Sequence, residues 1–288
     1  MAAVTADQVK TLRDQTGAGM MDCKRALAES GGDASRAFKI LREKGAASAA
    51  RKASRTAAEG LVGVAVRGDK GVMVEVNCET DFVARNEKFQ EFVCTVAALA
   101  LERGTDLEQI RAARYPGGQE TVAEKLNGLI ATIGENMSLS RSISLSAPGG
   151  CVAHYVHNAV TPEMGKIGVL VELSSDDPAV APNGLRAIGE EVAMQVAAAR
   201  PVYVRREEVP AERVAEEKSI LEKQVDPKKP PQVREKIIEG KLSSFYEQVC
   251  LLDQPYIREP KRKVKDLLAD AKGKVQLGRF ARFAIGEA

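Results

Sequence analysis

The segment Thr80-Asp81-Phe82-Val83 places a carboxylate beside an aromatic ring, between a predicted strand and a predicted helix that Asn86 can cap. Asp81 could compete for a cation or an amide, and Phe82 could enter an apolar pocket on another protein. A structural interpretation competes with this one: Thr80 or Asp81 caps a turn, and Phe82 covers the edge of the sheet. The residues alone favour the structural interpretation.

Residues suited to catalysis are scarce in this chain of 288 residues. Its two histidines, His154 and His157, lie three residues apart in an apolar stretch that is typical of a strand. Side chains on a strand alternate between its faces, so the two histidines make a poor metal or acid–base pair, and structural roles are favoured. The motifs GxxxxGK[ST], GxGxxG, HExxH and GxSxG do not occur, so no phosphate loop, zinc helix or nucleophile elbow is predicted.

Composition sets further limits on function. Lys and Arg number 42 against 40 Asp and Glu, for a net charge of +2, and only 4% of residues are aromatic, with no Trp. Such a chain lacks both the positive field and the stacking surfaces that favour binding to nucleic acid. No stretch of 18 apolar residues and no signal or transit peptide pattern occurs, so we expect a cytoplasmic protein without a membrane span. The five cysteines form no CxxC motif and are expected to be buried and inert.

Two smaller groups of residues have both a structural and a functional interpretation. Met20 and Met21 follow the turn at 16–19; packing in a core is the commoner role, although methionine also serves at adaptable interfaces. The basic cluster at 261–265 is surrounded by acidic residues and is predicted to be a solvated face.

The elements that position these residues follow from hydrophobic periodicity. Residues 1–45 predict three short helices, the last of which ends at Gly45, and such a small bundle suits docking better than catalysis. Residues 46–59 are rich in Ala and basic side chains and are interpreted as a tether. The middle, 60–205, is typical of an α+β fold with hairpins and apolar helices.

A weak internal repeat runs through the middle of the chain. GVMVEV at 71–76 returns as GVLVEL at 168–173, and VCTVAALA at 93–100 returns as VAMQVAAA at 192–199. Both copies have the order hairpin, acidic turn, apolar helix, which makes two related α/β subdomains plausible.

From Val209 onward the pattern becomes helical. Val214, Leu221 and Val225 form one seam, and a Pro-rich break separates it from a second helix. The apolar residues of that second helix are spaced as in a heptad repeat: Ile238, Leu242, Phe245, Val249 and Leu252. The pattern predicts an antiparallel helical hairpin, followed by a helix at 264–270 and a strand at 275–285.

The sequence also resembles the elongation factor Ts family of translation factors. The resemblance rests on TGAGMMDCKRAL near the start, EVNCETDFVARN at 75–86, IGENM at 133–137, KIGVLV at 166–171, QVCLLDQPYI at 248–257 and RFARFAIGE at the end. These motifs occur in the family's order and cover essentially the whole chain.

The resemblance implies an α+β fold with a ubiquitin-associated-like N-terminal bundle, a core of two related α/β subdomains, a coiled-coil hairpin and a C-terminal module. The implied boundaries are an N-terminal domain at 1–45, a linker at 46–59, core subdomains at 60–147 and 148–208, the hairpin at 209–252 and the C-terminal module at 253–288.

The implied function is guanine-nucleotide exchange on elongation factor Tu, in its GDP-bound and nucleotide-free states, without covalent chemistry and without a cofactor or metal of the factor's own. The segment that dislocates the partner's Mg²⁺ maps onto Thr80, Asp81, Phe82 and Val83. Secondary contacts map onto Met20, Met21 and His157. A homodimer within a two-plus-two complex is one assembly that the resemblance allows. Residues 158–164 are expected to form a longer loop than the family's Gly-rich turn after the histidine.

Two other classes of function stay open on the residues. One is an RNA-binding translation accessory protein that uses Arg51, Lys52, Arg55 and the basic cluster at 261–265, against which the near-zero net charge and the missing aromatic platforms count. The other is an enzyme of an unrecognised class, which a screen for turnover with nucleotide alone would detect.

Overall fold

The computed structural model describes residues 4–177, 182–271 and 274–287. The helices are α1 (Ala6–Thr16), α2 (Met20–Glu29), α3 (Ala34–Lys52), α4 (Asp81–Ala84), α5 (Glu87–Arg103), α6 (Leu107–Ala112), α7 (Val122–Ile133), α8 (Pro182–Ala199), α9 (Ala211–Gln224), α10 (Pro231–Val249) and α11 (Val264–Asp270). The strands are β1 (Glu59–Arg67), β2 (Lys70–Cys78), β3 (Met137–Ser146), β4 (Cys151–Thr161), β5 (Met164–Ser175), β6 (Pro255–Tyr256), β7 (Glu259–Lys263) and β8 (Val275–Ala284). The predicted α+β class is confirmed.

The first three helices form a small bundle whose ends are encoded locally. Thr5 and Gln8 make the reciprocal hydrogen bonds of a capping box at the start of α1, and Gly17 ends that helix in a left-handed conformation with φ of 66°. Asp33 caps α3 by accepting from the backbone N–H of Arg36. The bundle buries its own small core: Val9, Leu12, Cys23, Ala26, Leu27 and Ala37.

The predicted end of α3 at Gly45 is wrong, because the helix continues to Lys52. Gly45 is buried, and a methyl group placed on it would lie 3.6 Å from the carbonyl oxygen of Asn127 in α7. The last turn of α3 is fixed to α7 as well, since Lys52 Nζ donates to the carbonyl of Ile130 at 3.3 Å. Close packing on α7 therefore keeps residues 46–52 helical. This part of the tether predicted at 46–59 is a continuation of α3.

Among the described residues, the strands of the core pair antiparallel in one six-stranded sheet, in the order β3-β2-β1-β5-β4. Strand β8 lies outside this linear order and pairs with β5 from Ile167 to Ser175, beyond the short pairing of β5 with β1. Helices α5 and α7 cover one half of the sheet through an apolar cluster that includes Phe89, Phe92 and Ile130. Helices α8 and α11 cover the other half through a separate cluster that includes Val192 and Val264. The core is therefore built as two helix-covered halves, in agreement with two related subdomains.

The internal repeat corresponds to equivalent elements of the two halves. GVMVEV lies in β2 and GVLVEL in β5, and the repeated apolar helices are α5 and α8. The first residue of each motif is a glycine in close contact with the opposite half. A methyl on Gly71 would come within 2.6 Å of Val152 Cγ1, and one on Gly168 within 2.6 Å of Val62 Cγ1. The two halves thus approach each other through matched glycines.

The predicted helical hairpin is formed by α9 and α10. Its distal apolar cluster consists only of hairpin residues, with Leu221, Val225 and Ile238 buried between the helices. Leu252, predicted as the last heptad position, lies beyond the end of α10 in a short 3₁₀ turn and packs into the second half of the core. The hairpin base is fixed by the ion pair of Arg206 with the buried Asp253 at 2.7 Å. Among the described residues, no helix is both long and apolar enough to cross a membrane.

Candidate functional site: an exposed aromatic wedge on an anchored turn

Phe82 is the most exposed large apolar side chain of the described residues, with 77% of its surface accessible. It lies on α4, a single helical turn that follows β2 directly. The next two residues, Val83 and Ala84, are buried in the core of the first half. The structural interpretation of the sequence, in which Phe82 covers the edge of the sheet, is therefore wrong. The chain exposes the aromatic ring and buries the smaller apolar residues after it.

The turn that carries Phe82 is anchored from both sides. On the side before Phe82, the backbone N–H and the hydroxyl of Thr80 donate to the two carboxylate oxygens of Glu135, at 3.0 and 2.7 Å. On the side after it, Val83 and Ala84 pack in the core, and Gln90 Nε2 donates to the carbonyl of Ala84 at 3.1 Å. Phe82 is consequently held on a fixed backbone although its own side chain contacts mostly solvent.

Asp81 and Arg85 form an ion pair next to the aromatic ring, with Arg85 Nη2 at 2.9 Å from Asp81 Oδ2. The side chains are 46% and 74% exposed, so water screens the pair and it contributes little to stability. An exposed pair of this kind exchanges partners at little cost. The Asp81 carboxylate is thus free to leave Arg85 for another cation or donor.

Met20 and Met21 are also exposed, at 59% and 63%, which corrects the expectation that they pack in the core of the bundle. They begin α2, directly after the glycine-containing turn that ends α1. The Lys88 side chain, from the first turn of α5, reaches that turn, since a methyl group on Gly17 would be 3.8 Å from Lys88 Nζ. Helix α5 begins three residues after Ala84. The methionine pair therefore follows a turn that the Lys88 side chain reaches, and Phe82 precedes the same end of α5.

His157 is exposed on β4 and lies apart from this group in the sheet, since β1 and β5 separate β4 from β2. Its Nδ1 lies 3.2 Å from the hydroxyl of Tyr155. The expected long loop after His157 is not formed. Strand β4 continues to Thr161 with a bulge opposite β5, and Asn158 takes a left-handed φ of 49°. Pairing with β5 extends the strand through residues whose composition suggested a loop.

His154, three residues earlier, is partly buried on β4, and burial lowers the pKa of its ring. The two histidines thus occupy different environments, as the alternation of the strand predicts. Among the described residues, no cluster of His, Cys, Asp and Glu is arranged to hold a metal ion.

The cysteines follow the expectation with one exception. Cys23, Cys78, Cys151 and Cys250 are buried, and burial raises the pKa of Cys78 to about 12 and that of Cys250 to about 11. These two thiols are protonated at neutral pH and therefore unreactive. Cys94 is exposed on α5, so its predicted burial is wrong.

Four of the basic residues that an RNA-binding function would use are engaged with acidic partners, a hydroxyl or a carbonyl: Lys52, Arg55, Arg262 and Lys263. Arg55 pairs with Glu79 at 3.4 Å, and Lys52 donates to a backbone carbonyl and to Ser48. In the C-terminal cluster, Arg262 pairs with Glu259 and Asp270, and Lys263 pairs with Glu247 at 2.8 Å. The C-terminal cluster is the solvated, charge-balanced face that the sequence predicts.

Sequence reasoning missed Glu135. The residue lies in the turn between α7 and β3, 55 positions from Thr80, and local patterns carry no information about so distant a contact. The only signal in the sequence is its position in the IGENM motif that the resemblance uses.

Comparisons with known proteins agree with the resemblance. The sequence model of the family described as Elongation factor TS matches residues 79–287. A protein named Elongation factor Ts from Paramagnetospirillum magneticum is 50% identical over 293 aligned residues, which cover all of this chain and 93% of that protein. Proteins of the same name from Rhodospirillum rubrum and Methylocella silvestris are 50% and 49% identical, again over all of this chain and over 94% and 93% of their own lengths. The chain therefore belongs to the elongation factor Ts family and has a role in translation elongation.

Proposed function

We propose that this protein is a guanine-nucleotide exchange factor that binds GDP-bound elongation factor Tu, promotes the release of GDP and so allows GTP to bind. The observation that carries the proposal is the exposure of Phe82, at 77%, on a turn whose backbone is fixed. A large aromatic side chain held in water loses the free energy that burial would supply, and a pocket on a partner would recover it.

The fixed backbone supports the role of a wedge. A side chain on a mobile loop must be ordered when it binds, and this ordering reduces the affinity. Glu135 and the core contacts of Val83 order the turn before any partner arrives. We therefore assign Thr80 and Val83 to holding the turn, and Phe82 and Asp81 to acting on the partner.

The mechanism is coupling between two binding equilibria. A GTPase holds GDP through phosphate contacts and through Mg²⁺, which bridges phosphate oxygens and side chains. A factor that binds the nucleotide-free protein more tightly than the GDP-bound protein must weaken GDP binding by the same ratio. Phe82 would enter a pocket that the partner opens only when its Mg²⁺-ordering elements move. The Asp81 carboxylate, released from Arg85, would compete for the ion or for its ligands.

Two other surfaces would add affinity for the same partner. Met20 and Met21 would contact the nucleotide-binding domain, since two exposed, adaptable side chains suit a broad apolar contact. His157 would contact the partner from the second half of the core. The proposal includes action in the cytoplasm, no cofactor or metal of the factor's own, no covalent chemistry and no direct contact with nucleic acid. A homodimer within a two-plus-two complex with elongation factor Tu is one assembly that this proposal allows.

The experiment follows the release of fluorescent GDP from purified elongation factor Tu, with and without this protein, at several salt concentrations. We expect a large acceleration that depends weakly on salt, because the contacts are largely apolar. Unchanged release would overturn the exchange proposal. RNA binding with a steep salt dependence would favour the accessory-protein alternative instead.

A further inference from the structure

We infer that Glu135 is a positioning residue for nucleotide exchange, which fixes the direction of Phe82 by clamping the backbone before it. This inference rests on the proposed function and extends it to a residue outside the wedge segment. It also changes the role of Thr80, whose side chain serves the clamp and does not reach the partner.

The first observation is an unusual use of a helix cap. Thr80 precedes α4 with the extended backbone of an N-cap residue, φ −127° and ψ 159°, yet its hydroxyl does not cap that helix. Threonine at this position normally accepts a hydrogen bond from the first turn. Here the hydroxyl donates to Glu135 Oε1 at 2.7 Å, while the backbone N–H of Thr80 donates to Glu135 Oε2 at 3.0 Å. The Thr80 hydroxyl therefore bonds to a residue 55 positions away in place of making the local capping hydrogen bond.

Both carboxylate oxygens of Glu135 are therefore used on one residue of the wedge turn. Hydrogen bonds to an ionised acceptor are stronger than neutral ones, and two parallel bonds restrict orientation as well as distance. The Thr80 carbonyl is fixed too, because it accepts from Cys78 Sγ at 3.2 Å. The donor N–H, hydroxyl and carbonyl of Thr80 are all engaged, so its backbone has little freedom to rotate.

Glu79 and Asn136, the neighbours of Thr80 and Glu135, add further hydrogen bonds around the same turn. The backbone N–H of Asn136 donates to Glu79 Oε1 at 2.6 Å, and Asn136 Nδ2 donates to the carbonyl of Arg55 at 2.7 Å. The turn after α7 thus holds Glu79 and Thr80 together, and it also holds the chain that leaves α3. The Phe82 side chain has no polar atom to hold it and is 77% exposed. Its direction depends on the backbone that Glu135 holds.

The test compares catalysed GDP release from elongation factor Tu for Glu135→Ala in the wild-type and in the Phe82→Ala background. If Glu135 acts through Phe82, Glu135→Ala alone should slow release about tenfold, and less than about twofold when Phe82 is already Ala. Glu135→Gln keeps one acceptor oxygen and should fall between Glu135→Ala and the wild type. The matched control is Glu247→Ala, which removes a partly exposed glutamate from its pair with Lys263 on the hairpin and should leave release unchanged.

A second measurement needs no partner and separates this inference from the proposed function. Amide hydrogen exchange of the free factor should become roughly tenfold faster in Glu135→Ala at Thr80, which loses its acceptor, and at Arg85, whose N–H donates to the carbonyl of Phe82 at 3.2 Å. Exchange at both amides should be unaffected in Glu247→Ala. Normal protection at these amides would overturn the clamp, whether or not the protein catalyses exchange. Equal losses of GDP release in both Phe82 backgrounds would also overturn it, because a residue that only stabilises the fold would cost the same in each.

Discussion

Two glycine-to-alanine substitutions, in helices that pack on the sheet, should change the free energy of unfolding in opposite directions. Gly128 lies inside α7, and a methyl group placed on it meets no atom within 4 Å. Gly189 lies inside α8, and a methyl group placed on it would overlap Ala153 Cβ and Leu173 Cδ1 in the sheet beneath. The local gain in helix propensity is the same at both sites, so the difference between them measures the packing of α8 on β4 and β5.

The magnitudes follow from two terms. Alanine is favoured over glycine by about 1 kcal/mol in a helix interior, so Gly128→Ala should raise the free energy of unfolding by about that amount. Overpacking a full core costs about 1–3 kcal/mol. The obstacle at Gly189 includes Ala153, whose methyl group has no rotamer to change, so relief requires a shift of backbone and the upper part of that range, about 2–3 kcal/mol, applies. Gly189→Ala should therefore lower the free energy of unfolding by about 1–2 kcal/mol after the helix gain is subtracted.

The assay is urea denaturation of the full chain, followed by circular dichroism, for the wild type and both variants. We expect the midpoints to move in opposite directions, with a difference of about 2–3 kcal/mol between the variants. A stabilising effect of Gly189→Ala would refute the close packing of α8 on the sheet.

Three further predictions concern charge, the hairpin and nucleotide. Burial alone would raise the pKa of Glu172, but hydrogen bonds from Arg279 and from the Ser146 N–H outweigh it and hold the pKa below its usual value; this stabilisation is present above about pH 4 and is lost as the pH falls through the folded-state pKa. Glu172→Gln should therefore lose less stability than the wild type between pH 7 and pH 3 in denaturation curves, and an equal loss would contradict the assignment. Replacing α9 and α10 by a Gly/Ser linker should slow GDP release less than tenfold, since the distal hairpin cluster packs only within itself; a larger loss with a folded core would place the hairpin in the exchange surface. The protein alone should show no binding of GTP in calorimetry, because its sequence offers no phosphate loop, and micromolar binding would reopen the enzyme alternative.

Several elements could be predicted because their signals are local. The capping box at Thr5, the alternation along β3 and the seam of the helical hairpin each depend on residues a few positions apart. The internal repeat was also informative, since its two glycines and apolar residues are required by the same packing in each half. Such patterns are visible without knowledge of the tertiary structure.

The errors share a different cause. Gly45 carries a helix-stop signal, but α7 lies against it and keeps the helix intact. Residues after His157 have the composition of a loop, but pairing with β5 keeps them in a strand. The heptad spacing continues to Leu252 in the sequence, whereas α10 ends at Val249 and Cys250 forms an isolated parallel β-bridge with Tyr203. In each case a contact with a distant segment overrides the local preference.

The candidate site, too, could be predicted only in part from local sequence patterns. The sequence identified the Asp81–Phe82 pair but favoured a covering role for the ring, because burial is the usual state of phenylalanine. Exposure of Phe82 results from the burial of Val83 and from the clamp at Glu135, which joins residues 55 positions apart. Resemblance to a family predicts this segment as the site, and the structure gives the reason that its backbone is fixed.

The most direct test of the wedge is GDP release from elongation factor Tu catalysed by Phe82→Ala, measured beside thermal melting of the free factor. The matched control is Val202→Ala, which truncates another exposed apolar residue, 55% accessible, on a different part of the surface. Phe82→Ala should cost at least about 2 kcal/mol of differential binding, or roughly thirtyfold in release. Its melting temperature should stay at the wild-type value, because the ring packs on little of the factor itself.

The same assay with Asp81→Ala measures how much of the site's effect depends on Mg²⁺. Its effect should be large with Mg²⁺ present and should shrink when a chelator removes the ion, whereas most of the Phe82→Ala effect should persist. The two effects should not add in the double variant, since both groups act on one rearrangement of the partner. Wild-type GDP release by the Phe82→Ala Asp81→Ala double variant would contradict the account.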